Sequence, residues 1–414
     1  MIVSNFRLRI ILVLLVTCLS LNAKNIDTSK SLNLQYSVKA LKNFQQNDVN
    51  RIYKDKMGFI WIGTLDGLYR YDGYSYKIYR MQESKNSLSS NMIIAIDEDA
   101  QGNIWLGTYG KGISMINVKT DEITNYSLSV LTNTKTPIDN VSALIIDKNN
   151  NIWVGNWYGL IRIRIDSTNQ IIKNVKLFRD EKNSSVLRIH EDEHKNLWIA
   201  TSNKIKRILN PTSDNLKYET FDSHCECICD YQDGILIGGN NFLSVILPNA
   251  INKKYYKTTL LNNISATSVV SDNNNIWLGN REGVSLLKYQ NNKWEIEKTF
   301  NKSNNTAFSS NIVTSLSLHN NGLFVGTRGA GVITIKKTEK RFNNFYKTNQ
   351  RGSLFNNLTR AMYEDSHQNL WIGDEEAGVS FLKKGNSYEN GFVQISVNDN
   401  TNDRAYVLKE TLAT

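Results

Sequence analysis

One five-residue phrase returns along this chain and leaves little freedom about its fold. It reads apolar, tryptophan, apolar, glycine (once alanine), small polar. It stands as I-W-I-G-T at Ile60–Thr64, I-W-L-G-T at Ile104–Thr108 and I-W-V-G-N at Ile152–Asn156. L-W-I-A-T follows at Leu197–Thr201, I-W-L-G-N at Ile276–Asn280 and L-W-I-G-D at Leu370–Asp374. Ile235–Gly239 (I-L-I-G-G) and Leu323–Thr327 (L-F-V-G-T) are degenerate copies. Gly58–Gly73 shows the phrase in context: an apolar run closed by Gly63, a turn at Leu65-Asp66-Gly67, an alternating run at Leu68–Tyr71 and a second turn at Asp72-Gly73. That is strand, tight turn, strand.

The aromatic position (Trp61, Trp105, Trp153, Trp198, Leu236, Trp277, Phe324, Trp371) recurs every 38 to 48 residues. Six residues before it stands an aspartate in six copies: Asp55, Asp99, Asp147, Asp192, Asp230 and Asp365. A short apolar strand precedes the aspartate. A glycine turn after the phrase opens a third strand, and a fourth strand with aromatics follows, as in Ser75–Arg80 and Phe342–Tyr346. Four antiparallel strands at this period predict an all-β chain built as a β-propeller of four-stranded blades. A blade has two apolar faces and buries them only against neighbours. The tryptophan supplies a large apolar face between blades. The glycine two residues on makes room for the next blade, and the aspartate caps turn amides. Leu34–Phe44 reads as a lone fourth-type strand that closes the ring.

Seven blades over 32–350 is the expectation, with 351–414 holding the eighth repeat and the start of a second ring. Eight copies closing on themselves is the alternative. Arg404–Glu410 resembles the opening of a ninth copy, so the repeat array is expected to run on past Thr414. At the other end Arg7 and Arg9 precede an apolar run, Ile10–Leu21, and Leu21-Asn22-Ala23 offers a cleavage site. Residues 1–23 therefore read as a secretory signal peptide, which makes the mature chain an exported one.

The net charge of +10 raises nucleic-acid binding. The basic residues are spread along the chain without a run interleaved with aromatics, so they read as solvated faces and no nucleic-acid contact is expected. Cys225, Cys227 and Cys229 alternate along one strand. They are expected to share a face and to pack as small apolar groups, with at least one thiol unpaired. His190 and His194 have the spacing of a helical zinc site but fall on strand and turn. No loop gathers the oxygens that calcium needs. No metal, cofactor or catalytic motif is expected, and the chain is not read as an enzyme.

With these residues in hand, the chain resembles the two-component regulator propeller repeats of the periplasmic sensor region of hybrid two-component histidine kinases. The resemblance rests on D-x-x-G-x-(I/L)-W-(I/L)-G-T-x-x-G-L, repeated in register from Leu34 almost to the end. It implies a periplasmic module that senses glycan-derived oligosaccharides to control carbohydrate-use genes. The kinase output lies on other residues, and a homodimer forms through a C-terminal region outside this chain. A secreted propeller acting as a protein-interaction scaffold is the alternative. The turns between second and third strands vary while their flanks stay constant, the pattern of a recognition face held by a rigid frame. Rings against sugar faces, with charged groups to hydroxyls, single out Asp66, Tyr109, Trp157, Tyr158, Arg281 and Arg328 as ligand-binding candidates.

Overall fold

The computed structural model describes residues 34–165, 172–179, 185–272, 275–319, 322–339, 345–349, 351–374, 378–386 and 391–395. The expected signal segment, the Glu375–Ala377 turn and Arg404–Glu410 lie outside them. Among the described residues are eight four-stranded antiparallel sheets. The chain divides into two compact units. One is Tyr36–Lys337 and holds seven of the sheets; the other holds the eighth.

We number the sheets by their first strands: Val49–Lys54, Ile93–Glu98, Val141–Ile146, Val186–Glu191, Cys227–Tyr231, Ser268–Asp272, Val313–His319 and Thr359–Glu364. Six sheets of the larger unit, and sheet eight, take their four strands in chain order. Sheet seven instead takes Leu34–Ala40 as its fourth strand, next to Val332–Glu339. Leu41 N donates to Val332 O at 2.8 Å, and Thr334 Oγ1 to Lys39 O at 3.2 Å. The edge expected for Phe342–Tyr346 is thus held by Leu34–Ala40, and Phe342–Asn344 lie outside the described residues. Phe345 packs instead against Phe392 of sheet eight, ring centroids 5.3 Å apart.

The first strands of sheets one to seven touch in sequence, and that of sheet seven touches that of sheet one. There is no single core. Seven apolar slabs lie between successive sheets, such as Trp105 with Val141, Leu144, Ile152 and Val154, or Trp153 with Val186, Ile189 and Leu197. The slab between sheets seven and one holds Val332, Val49, Ile52, Ile60 and Ile62.

The glycine of the repeated phrase sets how closely sheets approach. A Cβ on Gly107 would stand 2.5 Å from Val141 Cγ1, and one on Gly326 would stand 2.7 Å from Val49 Cγ1. Sheet four carries Ala200 at this position. The residue it meets in sheet five is Cys225, smaller than the valine that faces Gly107, Gly155, Gly279 and Gly326. A bulge-like step at Glu226 places Cys225 toward sheet four, while Cys227 packs toward sheet six. The three cysteines thus do not share one face, as strict alternation implied. All are free thiols. Burial pushes Cys225 and Cys229 up to about 12 and raises Cys227 well above the usual thiol range, so they are held protonated.

The aspartate does more than cap its turn. In sheet three, Asp147 Oδ1 accepts from Asn149 N and Asn151 N, as expected of the residue type. Its Oδ2 accepts the indole N–H of Trp153 at 2.8 Å. The same bond joins Asp55 to Trp61, Asp99 to Trp105, Asp192 to Trp198 and Asp365 to Trp371. In the eighth sheet it is the leading contact that lowers the Asp365 carboxyl to about 2. The indoles of Trp61, Trp105, Trp153 and Trp198 also face an aromatic on their sheet's fourth strand, for example Trp105 on Tyr126 at 5.7 Å, whereas Trp371 faces Phe381 of the third strand. Sheet five has Leu236 in place of tryptophan, and Asp230 there faces His190 Nε2 of sheet four at 3.0 Å.

Two stability experiments follow from this frame. Replacing Asp147 by Ala strands a buried indole N–H and two turn amides, so it should lower unfolding free energy by about 2–3 kcal/mol in urea titration. Combining it with Trp153→Phe should cost markedly less than the two single changes added together. Gly107→Ala should cost about 1–3 kcal/mol by overpacking. Val141→Ala should relieve most of that strain, giving a double mutant more stable than additivity predicts.

Candidate ligand-binding cavity

The first strand of sheet one begins apolar-polar-Arg-apolar, Val49-Asn50-Arg51-Ile52, and its pairing with Ile60–Thr64 slips between Val49 and Arg51. Asn50 is the extra residue of a bulge, a device that re-aims a side chain. Sheets two, three, four and seven slip at the same place, leaving Ile94, Ser142, Leu187 and Thr314 extra. Glu226 and Thr267 hold the matching positions just ahead of the first strands of sheets five and six. Four of these side chains reach the next sheet. Asn50 Nδ2 donates to Ile93 O at 2.9 Å, Ser142 Oγ to Val186 O and Thr267 Oγ1 to Val313 O at 2.7 Å. Thr314 Oγ1 donates to Val49 O at 2.5 Å, so the series returns to sheet one. Sequence reading missed these staples; their signal is a valine, or once Ala266, followed by Asn, Ser or Thr at the head of the first strand.

The seven first strands enclose a cavity of about 540 Å³, in the range of small-ligand sites. Its wall includes Arg51, Arg188, Arg281 and Arg328, with Glu226 as the one carboxylate among the lining residues. Arg281 and Arg328 come from second-to-third-strand turns. These turns open on the same side as the connections between sheets: Tyr109 N donates to Met92 O at 3.1 Å and Arg328 N to Ile312 O at 2.8 Å.

Of the six candidates, Arg281 and Arg328 are brought together at this cavity. Tyr109 and Trp157 stand half exposed on their turns and are not part of its wall. Tyr158 is half-buried against the slab between sheets two and three. Asp66 accepts from Arg80 NH2 at 2.9 Å and Gln46 Nε2 at 3.0 Å, which fixes its turn against the neighbouring connection. Arg51 and Arg188 went unnoticed in the sequence because they sit on strands, where an alternating pattern places them among core residues.

Below Arg51, Asp97 accepts from Ile146 N at 2.7 Å and Glu98 N at 2.9 Å, and Tyr53 also hydrogen-bonds to it. Burial outweighs those bonds and raises the Asp97 carboxyl from 3.8 to about 6. His190 and His194 face Asp230 and Asp233 rather than each other. Among the described residues no group of His, Cys, Asp and Glu is placed to hold a metal ion. No helix among them is long and apolar enough to cross a membrane.

Residues 43–66, 87–110 and 137–158 match the two component regulator propeller family. Each stretch runs from a first strand or the connection before it to the tip of a second-to-third-strand turn. A 66-residue stretch is 41% identical to histidine kinase P4 of Formosa agariphila, covering 14% of this chain and 5% of that protein. The extracellular domain of a hybrid two-component system from B. thetaiotaomicron aligns with a TM-score of 0.61 at 21% identity, over 87% of this chain and 49% of that one. A second such domain from the same organism gives 0.57 at 18%, over 89% and 48%. Virginiamycin B lyase from Staphylococcus aureus gives 0.55 at 14%, over 73% of this chain and 99% of the lyase. At these identities the likeness to the three solved structures is one of fold. The chain spans about half the length of the two extracellular domains.

Asp97 has a measurable signature. Its folded-state pKa is raised, so the folded chain binds this proton more tightly than the unfolded one, and its contribution to stability falls as pH rises from about 4 to about 6. Asp97→Asn removes that slope. Against wild type, the variant should therefore gain relative stability across this window in urea titrations; a difference that stays constant with pH would contradict the assignment.

Proposed function

We propose that this chain, which carries two component regulator propeller repeats, is the ligand-sensing part of a hybrid two-component sensor. In this reading it works in the periplasm, binds a glycan-derived oligosaccharide and governs carbohydrate-use genes through a kinase carried on other residues. The observation that carries the reading is the division of labour within the ring. The phrase, its aspartate and its glycine are held nearly constant, while turns of differing chemistry open on one side of the ring, two of them reaching the cavity wall. A frame of that kind suits recognition.

Catalysis fits the cavity less well. Glycoside hydrolysis uses two carboxyl groups across the scissile bond, and the wall offers Glu226 alone. Half-exposed Tyr109 and Trp157, beside the cavity's side of the ring, give a sugar or a partner protein apolar surface to stack on.

Titration calorimetry of the whole chain against neutral and acidic oligosaccharides, with chromatography of the mixtures afterwards, tests this reading. Saturable binding with the sugars recovered intact is expected. Release of shortened products would replace the sensor reading by an enzymatic one, and absence of any sugar binding would remove the oligosaccharide from it.

A further inference from the structure

We infer that the cavity is an oxyanion site, and that the ligand it takes is a sugar bearing carboxylate or sulfate groups gripped by Arg51, Arg188, Arg281 and Arg328. The inference rests on the sensing reading above for the sugar, and on the cavity's own chemistry for the charge.

Packing does not require these arginines. The strand position of Arg51 and Arg188, opposite the glycine or alanine of the phrase, is Ala95 in sheet two, Ala143 in three, Cys227 in five, Ser268 in six and Ser315 in seven. Two of those residues show what the frame asks of the site. Ser268 Oγ accepts from Leu316 N at 2.9 Å and Ser315 Oγ from Ile52 N at 3.2 Å, both bonds to the next sheet. A small residue is enough to build the ring, and two sheets place a guanidinium there instead.

Nor do the four arginines have partners that explain them. Several arginines elsewhere in the seven-sheet unit do meet acids: Arg80 meets Asp66 at 2.9 Å, Arg207 meets Glu219 at 2.7 Å, and Arg162 pairs with Asp214. Among the described residues, the side chains of Arg51, Arg281 and Arg328 make no hydrogen bond or ion pair. Arg188 spends one N–H on the adjacent Leu187 carbonyl at 2.8 Å. Asp97 is near enough to act on Arg51 electrostatically, but its oxygens are occupied from sheets one, two and three. Arg51 is set deep in the ring yet open to the cavity. Burial first, and the like charge of Arg188 second, lower its affinity for its own proton. Like charges gathered on one wall, with no carboxylate in hydrogen-bond or ion-pair contact, are a ready-made receptor for an anion.

The remaining polar groups of the wall narrow the choice. Asn50, Ser142, Thr267 and Thr314 give donors to carbonyls of the next sheet, so the donors left over for a ligand are mainly guanidinium N–H groups. Their planar forks match carboxylate and sulfate oxygens in pairs, which hydroxyls alone do not. Glu226, on the opposite wall chemistry, leaves room for a ligand hydroxyl or amide donor.

Calorimetry of the full chain at low salt should use inorganic sulfate, a galacturonate trimer, a sulfated galactose disaccharide and a neutral galactose trimer. The anionic sugars should bind more tightly than the neutral one, weaken with salt, and be displaced by sulfate; the galacturonate and sulfated arms tell the two sources of charge apart. Arg51→Ser and Arg188→Ala install side chains already used at this position, so the fold should persist, checked by the thermal midpoint. Arg281→Ala and Arg328→Ala lie on exposed turns. Each change should weaken the anionic sugar by about ten-fold or more and leave a neutral sugar untouched. Equal binding of neutral and anionic sugars, unaffected by the variants, would overturn the oxyanion site and leave the sensor reading intact. Binding of sulfate without any sugar would keep the oxyanion site and remove the sugar. Binding of none of the probes would overturn both.

Discussion

An indole is the largest apolar surface a side chain can offer, but it carries one N–H that must not be left dry. Everything in this ring depends on how that conflict is resolved. Trp61, Trp105, Trp153 and Trp198 are essentially inaccessible to solvent, and each gives its N–H to an aspartate six residues earlier in its own hairpin. With the polar edge satisfied inside one sheet, the whole face of the ring is free to meet the next sheet without a polar counterpart there. The aspartate's other oxygen ties down the turn, so a single side chain fixes the hairpin's shape and the orientation of the surface it presents. Neighbouring sheets then need only complementary shape: an apolar face, a gap left by a glycine in most sheets, and a small or branched apolar residue, most often valine, to fill it.

Much of this was written in plain view. The phrase fixed strand two, the glycine turn fixed strand three, and the recurrence fixed a propeller; even the need for a glycine beside the next sheet's side chains was legible. The indole–aspartate bond was not, because an aspartate six residues ahead of a tryptophan reads equally well as an ordinary turn residue. Period-two alternation misled in one place. It put Cys225, Cys227 and Cys229 on one face, whereas the step at Glu226 turns Cys225 toward the preceding sheet. The same step, repeated as a true bulge in most sheets, carries the staples between sheets and aims residues into the cavity. A bulge leaves no mark on composition, which is why that layer of the structure was hidden.

The site shows the same limit from another side. Variable turn tips are easy to see in a sequence, and two of them carry Arg281 and Arg328 to the cavity wall. Arg51 and Arg188 lie in strands whose other residues belong to the slabs, and only comparison of equivalent positions across sheets shows them to be out of place. Asp66 was attractive as an exposed acid on a tip. Arg80 and Gln46 hold it to the neighbouring connection, which makes it part of the frame.

Sheet seven has a consequence in time. Its outer strand, Leu34–Ala40, is synthesised 295 residues before the threonine whose side chain it accepts a bond from. At ribosomal speeds that interval is on the order of 15–60 s. Throughout it the strand has a free edge and no sheet to join, while sheets one to six can form in order and stack as they emerge. An unpaired edge is a template for any other extended chain. The ring is therefore closed like a clasp whose first half waits open until Val332–Glu339 arrives.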